Sequence, residues 1–159
     1  MTATTRRASC FTVIECMIVI AILGLLAAVA IPQFTATDDE DRAKAMVCNL
    51  ATLRTAIDHY WTQHDDFPGP SAAAFADQLL NFSDKQGAVG EGEAFEFGPY
   101  LPGDVIPVNP LNEANDVVIV DAMPSSPDGR SAWIYCNLTG EIRSNATGKT
   151  VDGVEYFDL

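Results

Sequence analysis

Apolar residues are concentrated near the start of the chain, in a run from residue 16 to residue 31 that holds no charged side chain. Residues 11–31 make 21 positions, about 31 Å of helix at roughly 1.5 Å per residue. That length crosses the hydrocarbon layer of a membrane. Arg6 and Arg7 precede the run and acidic residues 38–41 follow it, so the N-terminus should stay cytoplasmic. We predict a single-pass membrane helix with the remainder of the chain outside.

Two other interpretations of residues 1–34 compete with this one. A secretory signal peptide would be cut after Ala28-Val29-Ala30, but Glu15 and the length of the apolar run argue against it. A lipoprotein signal would end at Ala8-Ser9-Cys10, but there the apolar segment follows the cysteine instead of preceding it. The retained helix is therefore preferred.

Helical periodicity continues beyond the apolar run. Pro32 should kink the helix because proline lacks the backbone N–H and clashes with the preceding turn. The helix should then end near His64, where residues 65–70 carry turn residues. A core-facing stripe is predicted at helical spacing, with the members Ala43, Met46, Val47, Leu50, Leu53, Ile57 and Trp61.

The rest of the chain predicts one short helix and a few strands. Ser71 should cap a helix over residues 72–82. Strand patterns cover residues 117–121, 131–138, 142–144 and 154–159, and the middle two indicate a hairpin. The predicted fold is α+β, with one long helix, half in the membrane and half in a head, packed on a small antiparallel sheet of three or four strands.

Charge narrows the possible partners. The whole chain carries −13 and residues 1–34 carry +1, so residues 35–159 carry −14. Such a head repels phosphate backbones, which excludes nucleic-acid binding. The chain has no phosphate-binding loop, and His59 and His64 lie on different helix faces without a catalytic motif around them. We therefore predict that the protein is not an enzyme.

The cysteines indicate no metal cluster. Cys10, Cys16, Cys48 and Cys136 form no CxxC pair and have no zinc spacing with histidine. Cys48 points about 160° away from Leu50 at roughly 100° per residue, so it lies off the core stripe. Two separate thiols are therefore favoured over a Cys48–Cys136 disulfide.

Residues 11–22, FTVIECMIVIAI, and 30–34, AIPQF, resemble the N-terminus of type IV pilins and type II secretion pseudopilins. The resemblance implies a leader over residues 1–10, a filament-core helix over 11–34 and a pilin-like head over 35–159. It also implies that a prepilin peptidase cuts between Cys10 and Phe11 and that Phe11 becomes N-methylated. The family has glycine where this chain has Cys10.

The same resemblance assigns assembly roles. Glu15 would pair with the freed amino terminus of Phe11 in a neighbouring subunit, and Pro32 would shape the helix. Two opposite charges in a low-dielectric core attract strongly and are costly when left alone, so the pair would set the register of the filament.

A weaker resemblance involves the head. Phe67-Pro68, Gly98-Pro99-Tyr100 and residues 106–110, IPVNP, are similar to the major type II secretion pseudopilin, which binds calcium. This chain departs from it at Asn109, Leu111 and Asn112. No cofactor is expected, although calcium is possible, since oxygen-bearing side chains suited to a hard cation lie at Asn112, Glu113, Asn115, Asp116, Asp121 and Asp128.

The expected function is that of a structural subunit in a type II secretion pseudopilus, with the chain held in the inner membrane before assembly and its head periplasmic or extracellular. Its expected partners are copies of itself or other pilin-like subunits, the prepilin peptidase and an inner-membrane assembly platform. The alternatives are a type IV pilus subunit for adhesion or motility, and a membrane-tethered binding domain that forms no polymer.

Overall fold

The computed structural model describes residues 12–159, and for residues 27–38 it describes the backbone alone. The fold is α+β, a helical part with a small mixed sheet. Contacts divide the chain into two units, with the boundary between Asp38 and Asp39. The elements in chain order are α1 (Val13–His64), α2 (Ala72–Leu80), β1 (Val117–Val120), β2 (Trp133–Cys136), β3 (Ile142–Ser144) and a short 3₁₀ turn (Tyr156–Asp158).

The second unit begins in α1, whose buried face follows a strict alternation of three- and four-residue steps. Its members are Ala43, Met46, Leu50, Leu53, Ile57 and Tyr60, with Ala56 beside them. Two members of the predicted stripe were wrong. Val47 and Trp61 are 44% and 50% exposed, because each lies one position, about 100°, beyond a buried neighbour.

Local signals fixed the helix ends. α1 ends at His64, as predicted, and Asp65 follows with a positive φ of 57°. The Ser71 hydroxyl caps α2 by accepting a bond from the Ala74 N–H at 3.2 Å. α2 is shorter than expected, since it ends at Leu80 and leaves Phe82 exposed.

The sheet has the order β1-β2-β3 and is mixed. β2 and β3 form the predicted antiparallel hairpin, in which Trp133 faces Ser144. The prediction of a wholly antiparallel sheet was wrong, because β1 pairs with β2 in parallel, Val117 facing Trp133. Residues 121–132 join these two strands, and a connection of about a dozen residues is long enough to return the chain in the same direction.

The central strand is covered on both faces. All four residues of β2 are buried, including Trp133 and Tyr135, whose ring lies 4.5 Å from that of Phe75. Successive side chains of a strand point to opposite faces, so the burial of all four shows that both faces of the sheet are covered at β2.

A buried amide connects the segment before β1 to the hairpin. Asn109 is fully buried, and its Nδ2 donates to the Ala132 carbonyl at 3.0 Å and to Ser144 Oγ at 2.9 Å. Its Oδ1 accepts from the Leu111 N–H at 3.1 Å. The amide therefore satisfies buried polar groups from three segments.

The C-terminal residues do not form the predicted last strand. Phe157 is buried and the guanidinium of Arg143 lies 4.9 Å from its ring centre. Arg54 on α1 donates to the Leu159 carbonyl at 2.7 Å. Side-chain contacts from Arg54 and Arg143 thus hold the C-terminal segment, which forms a 3₁₀ turn in place of a strand.

Candidate functional site

The first part of α1 presents apolar side chains to its surroundings. Every described side chain from residue 12 to residue 26 is exposed. A continuous exposed apolar surface of this kind is typical of a segment that another apolar phase or another protein covers. Within the described residues, no helix holds an apolar stretch long enough to span a membrane.

Glu15, the predicted assembly residue, caps the first turn of this helix. Its Oε2 accepts two hydrogen bonds from Thr12, from the backbone N–H and from the hydroxyl, each at 2.9 Å. In return the Glu15 N–H donates to Thr12 Oγ1 at 3.3 Å. This reciprocal arrangement is a capping box, and it places the carboxylate at the positive end of the helix dipole.

Thr12 is the residue that reasoning from the sequence missed. The signal was present, because Thr12-Val13-Ile14-Glu15 has the threonine-x-x-glutamate spacing of a capping box. From the sequence, Glu15 was assigned a partner in another subunit. The geometry gives it donors within the same chain.

Comparison with known proteins identifies this segment. The family model for the prokaryotic N-terminal methylation motif matches residues 6–31. The type II secretion system core protein G of Aeromonas hydrophila is 30% identical over 96 residues, which are 60% of this chain and 64% of that protein.

The N-terminal segment of the chain is that of pilins and pseudopilins.

Two further relatives are a type II secretion protein and a fimbrial protein. The core protein G of Pseudomonas aeruginosa is 36% identical over 47% of this chain and 51% of its own length. The fimbrial protein of Neisseria meningitidis serogroup B is 40% identical over 40% of this chain and 38% of its own length. The chain therefore matches less than two thirds of each of these relatives. No solved structure matches.

The structure describes little of the remaining predicted site residues. Cys10 and Phe11 lie outside the described residues. Pro32 lies in the stretch whose backbone alone is described, and α1 is continuous through it. Cleavage, methylation and the kink stay predictions.

In the head, His64 is held by polar and aromatic neighbours. Its ring stacks on Tyr60 with centres 4.1 Å apart. Its Nε2 lies 2.9 Å from the Tyr100 hydroxyl and 3.2 Å from Ser83 Oγ, and its Nδ1 lies 3.2 Å from the Lys85 carbonyl. Ser83 is fully buried, so a substrate cannot reach it. His64 is therefore a packing residue that joins α1 to the loop after α2.

Two of the residues proposed for calcium, Asp116 and Asp128, accept hydrogen bonds within the head. Asp116 Oδ1 accepts from the Ala132 N–H at 2.9 Å, and Asp128 Oδ1 accepts from the Arg130 N–H at 3.0 Å and Asn145 Nδ2 at 2.7 Å. Among the described residues, no three acidic, histidine or cysteine side chains converge. Calcium binding stays a prediction.

The two head cysteines are separate thiols. Cys48 is exposed and Cys136 is buried. The Cys136 thiol donates to the Asp121 carbonyl at 3.5 Å. The structure thus holds no bond between Cys48 and Cys136.

Proposed function

We propose that this chain is a structural subunit of a pilin-like filament. The observation that carries the proposal is the exposed apolar surface of residues 13–26. This surface lies inside the methylation motif, and Glu15 caps the first turn of its helix. In a filament, helices of neighbouring subunits would bury this surface, and the hydrophobic effect would supply the cohesion.

The chain would reach the filament through the inner membrane. Residues 1–10 would be a leader that a prepilin peptidase removes, leaving Phe11 as a methylated amino terminus. Residues 11–34 would span the membrane once, with the head on the periplasmic side, until an assembly platform transfers the subunit into the filament. The capping box survives this cut, because it uses only atoms of Thr12 and Glu15.

In the filament, the amine of Phe11 in a neighbouring subunit would bind the Glu15 carboxylate, in addition to the two donors of Thr12. The carboxylate needs such a partner most when lipid or protein has displaced water from it. A subunit placed one step out of register would keep its Thr12 bonds but lose the ion pair. The register would therefore depend on the ion pair alone.

Within the family, a type II secretion pseudopilus is the function we favour. The head motifs Gly98-Pro99-Tyr100 and Ile106-Pro107-Val108 support it. The 96-residue alignment with a secretion core protein G, which extends beyond the apolar segment, supports it as well. A type IV pilus subunit is the second candidate, because a fimbrial protein is 40% identical over 68 residues.

Mass spectrometry of the chain purified from its native membrane tests the proposal. We expect a new amino terminus at Phe11 with one added methyl group. An intact Met1, or a start at Ile31 left by an ordinary signal peptidase, would contradict the filament function. A Cys10→Gly variant is the matched control, because it restores the family's residue at the cut and should give the same product.

Electron microscopy of fractions sheared from whole cells separates the two filament types. A secretion pseudopilus predicts that the chain stays with the cell envelope at native expression. Long surface fibres labelled by an antibody against the head would instead assign the chain to a type IV pilus.

A further inference from the structure

The head contains a cleft of about 600 Å³ that none of the assembly residues lines. Its walls come from the end of α1, the loop after it, α2, the loop after α2 and the turn that follows β2. All of its lining residues belong to the second unit of the chain, residues 39–159. Its volume lies within the range of roughly 300–1,000 Å³ that is typical of small-molecule sites.

The charges that line the cleft cancel. Asp66 supplies one carboxylate and Lys85 supplies one ammonium group. A charged ligand of either sign would meet one of these two groups as a like charge, and an anion would also be opposed by the acidic head around the cleft. A neutral ligand is therefore the one that the lining favours.

A buried phenol opens onto the cleft. Tyr60 is 3% exposed and lines the cleft, and its hydroxyl has no hydrogen-bond partner among the described residues. In this part of the chain the unpartnered side-chain atoms that are sealed from solvent are Tyr135 Oη and Asn137 Oδ1, so the Tyr60 hydroxyl is not sealed. Burial raises the pKa of Tyr60 to about 12, so the hydroxyl keeps its proton and can donate. A polar group in this position is normally paired by water or by a ligand.

Two further groups at the cleft are free to bond. Asp66 Oδ1 accepts from the Phe67 N–H at 2.8 Å, whereas Asp66 Oδ2 and the exposed Gln86 amide have no partner among the described residues. The Gln78 amide and Lys85 Nζ are already bonded within the head. With the phenol, the free groups are thus one carboxylate oxygen that accepts and two groups that both donate and accept.

One wall of the cleft is apolar and fixed. Leu138 is 67% exposed, and the Phe67 ring lies 6.3 Å from that of Trp61. Gly140 lies against the same ring, since an added Cβ would be 2.2 Å from it. An aromatic ring face of this kind packs well against C–H groups, whose partial positive charge complements its negative face.

We propose that this cleft binds a pyranose sugar, either free or as one residue of a glycan. A pyranose is uncharged, its hydroxyls both donate and accept, and its C–H face is apolar. Its hydroxyls would bond to the Tyr60 hydroxyl, Asp66 Oδ2 and the Gln86 amide, and its C–H face would lie on Phe67 and Leu138. The site lies in the head and does not depend on the filament function proposed above.

The test is a titration of the full-length chain in micelles of a detergent without a sugar headgroup, followed by ¹⁵N NMR. The probes are the methyl pyranosides of glucose, galactose, mannose and N-acetylglucosamine. Tetrahydropyran, which has the ring without hydroxyls, and glycerol, which has hydroxyls without the ring, are the controls. We expect at least one glycoside to give saturable shifts of the Gln86 side-chain amide and the Leu138 backbone amide, with both controls binding at least about tenfold more weakly.

Two results of this titration would overturn the proposal. The first is the absence of saturable shifts with all four glycosides. The second is a control that binds as tightly as the best glycoside, because tetrahydropyran would then show an apolar site and glycerol would show an unspecific response to hydroxyl groups.

Two variants locate the site. Tyr60→Phe removes the hydroxyl alone, and Asp66→Asn removes the free carboxylate oxygen while it can still accept from the Phe67 N–H. Each should weaken binding of the best glycoside at least about threefold. Tyr156→Phe and Asp104→Asn make the same changes at residues that do not line the cleft, and should leave binding unchanged. Unchanged binding by either of the first two variants, or an equal loss with the controls, would overturn the site.

A last arm distinguishes the source of the sugar. The methyl group of a glycoside blocks the anomeric hydroxyl, as the linkage of a glycan does. Binding of the glycoside and the free sugar with similar affinity would support the site and assign it to a glycan residue. Binding of the free sugar alone would support a pyranose site that takes a free monosaccharide.

Discussion

At the scale of single residues, Glu15 shows how a charge can be tolerated in an apolar helix. An isolated carboxylate in a membrane helix costs roughly 2.5–3.5 kcal/mol at the bilayer centre. Two donors from Thr12 and the helix dipole offset part of that cost before any partner arrives. If the chain inserts into the membrane as proposed, these donors would lower the free-energy cost of burying Glu15 before assembly, and a neighbour's amine would lower it further.

Asn109 is the residue whose loss should damage the head most directly. Asn109→Asp would replace a buried donor with a carboxylate that faces the Ala132 carbonyl, and it would leave that carbonyl with the Asn145 N–H as its one remaining donor among the described residues. We expect a loss of roughly 3 kcal/mol or more in the free energy of unfolding. Urea unfolding of the full chain in micelles, followed by tryptophan fluorescence, measures it. Asn115→Asp, at an exposed position of the same segment, should change little.

Tyr60 predicts how the head responds to alkaline pH. Burial first, then nearby Tyr100, Asp66 and Asp84, raise its pKa from 10.0 to about 12. The folded state thus keeps the phenol proton longer than the unfolded state does. The stabilisation should be complete below pH about 10 and should be lost as the pH rises through about 12. Urea unfolding across this range should show a smaller decline for Tyr60→Phe, and an unchanged decline would contradict the assignment.

At the scale of elements, local features were predictable and non-local ones were not. The end of α1 at His64, the Ser71 cap and the hairpin of β2 and β3 follow from residues close together in sequence. The parallel pairing of Val117 with Trp133 depends on the path of residues 121–132, which no local pattern determines. Likewise, Arg54 and Arg143 hold the C-terminal segment from distant positions, so its strand-like pattern was misleading.

The candidate sites follow the same division. Glu15 stands out because it is the one charged residue between residues 11 and 31, and its Thr12 cap follows from the spacing. Its role in assembly stays a prediction. A cleft of about 600 Å³ in the head was not predictable, since its lining residues, among them Tyr60, Gln78 and Leu138, lie far apart in sequence.

The turn between β2 and β3 contains a glycine whose replacement should destabilise the head. Gly140 follows β2 with a φ of 72°, and an added Cβ would overlap the Phe67 ring. Gly140→Ala should therefore destabilise the head through both backbone strain and steric overlap, by more than about 1 kcal/mol. Gly103→Ala is the matched control, because Gly103 has a φ of 98° but open space around its Cα. Equal losses in urea unfolding would show that the Phe67 contact is unimportant.

At the scale of the whole molecule, the chain separates two kinds of surface. The first unit offers exposed apolar side chains, whereas residues 35–159 carry a net charge of −14, since the full chain carries −13 and residues 1–34 carry +1. Apolar surface favours assembly through the helix, and like charges oppose unspecific association through the heads. These two surfaces are consistent with a subunit that polymerises through its N-terminal helix and whose acidic heads repel one another.

The most direct test of this account is the recovery of assembled filaments from cells that overproduce Glu15→Leu. Removing the carboxylate should improve membrane insertion while it abolishes the register ion pair, so we predict normal amounts of membrane-inserted chain and no sedimenting filament. Asp39→Leu, which removes an exposed carboxylate of the same helix, should still yield filaments. Filaments of Glu15→Leu in normal amount and register would contradict the account.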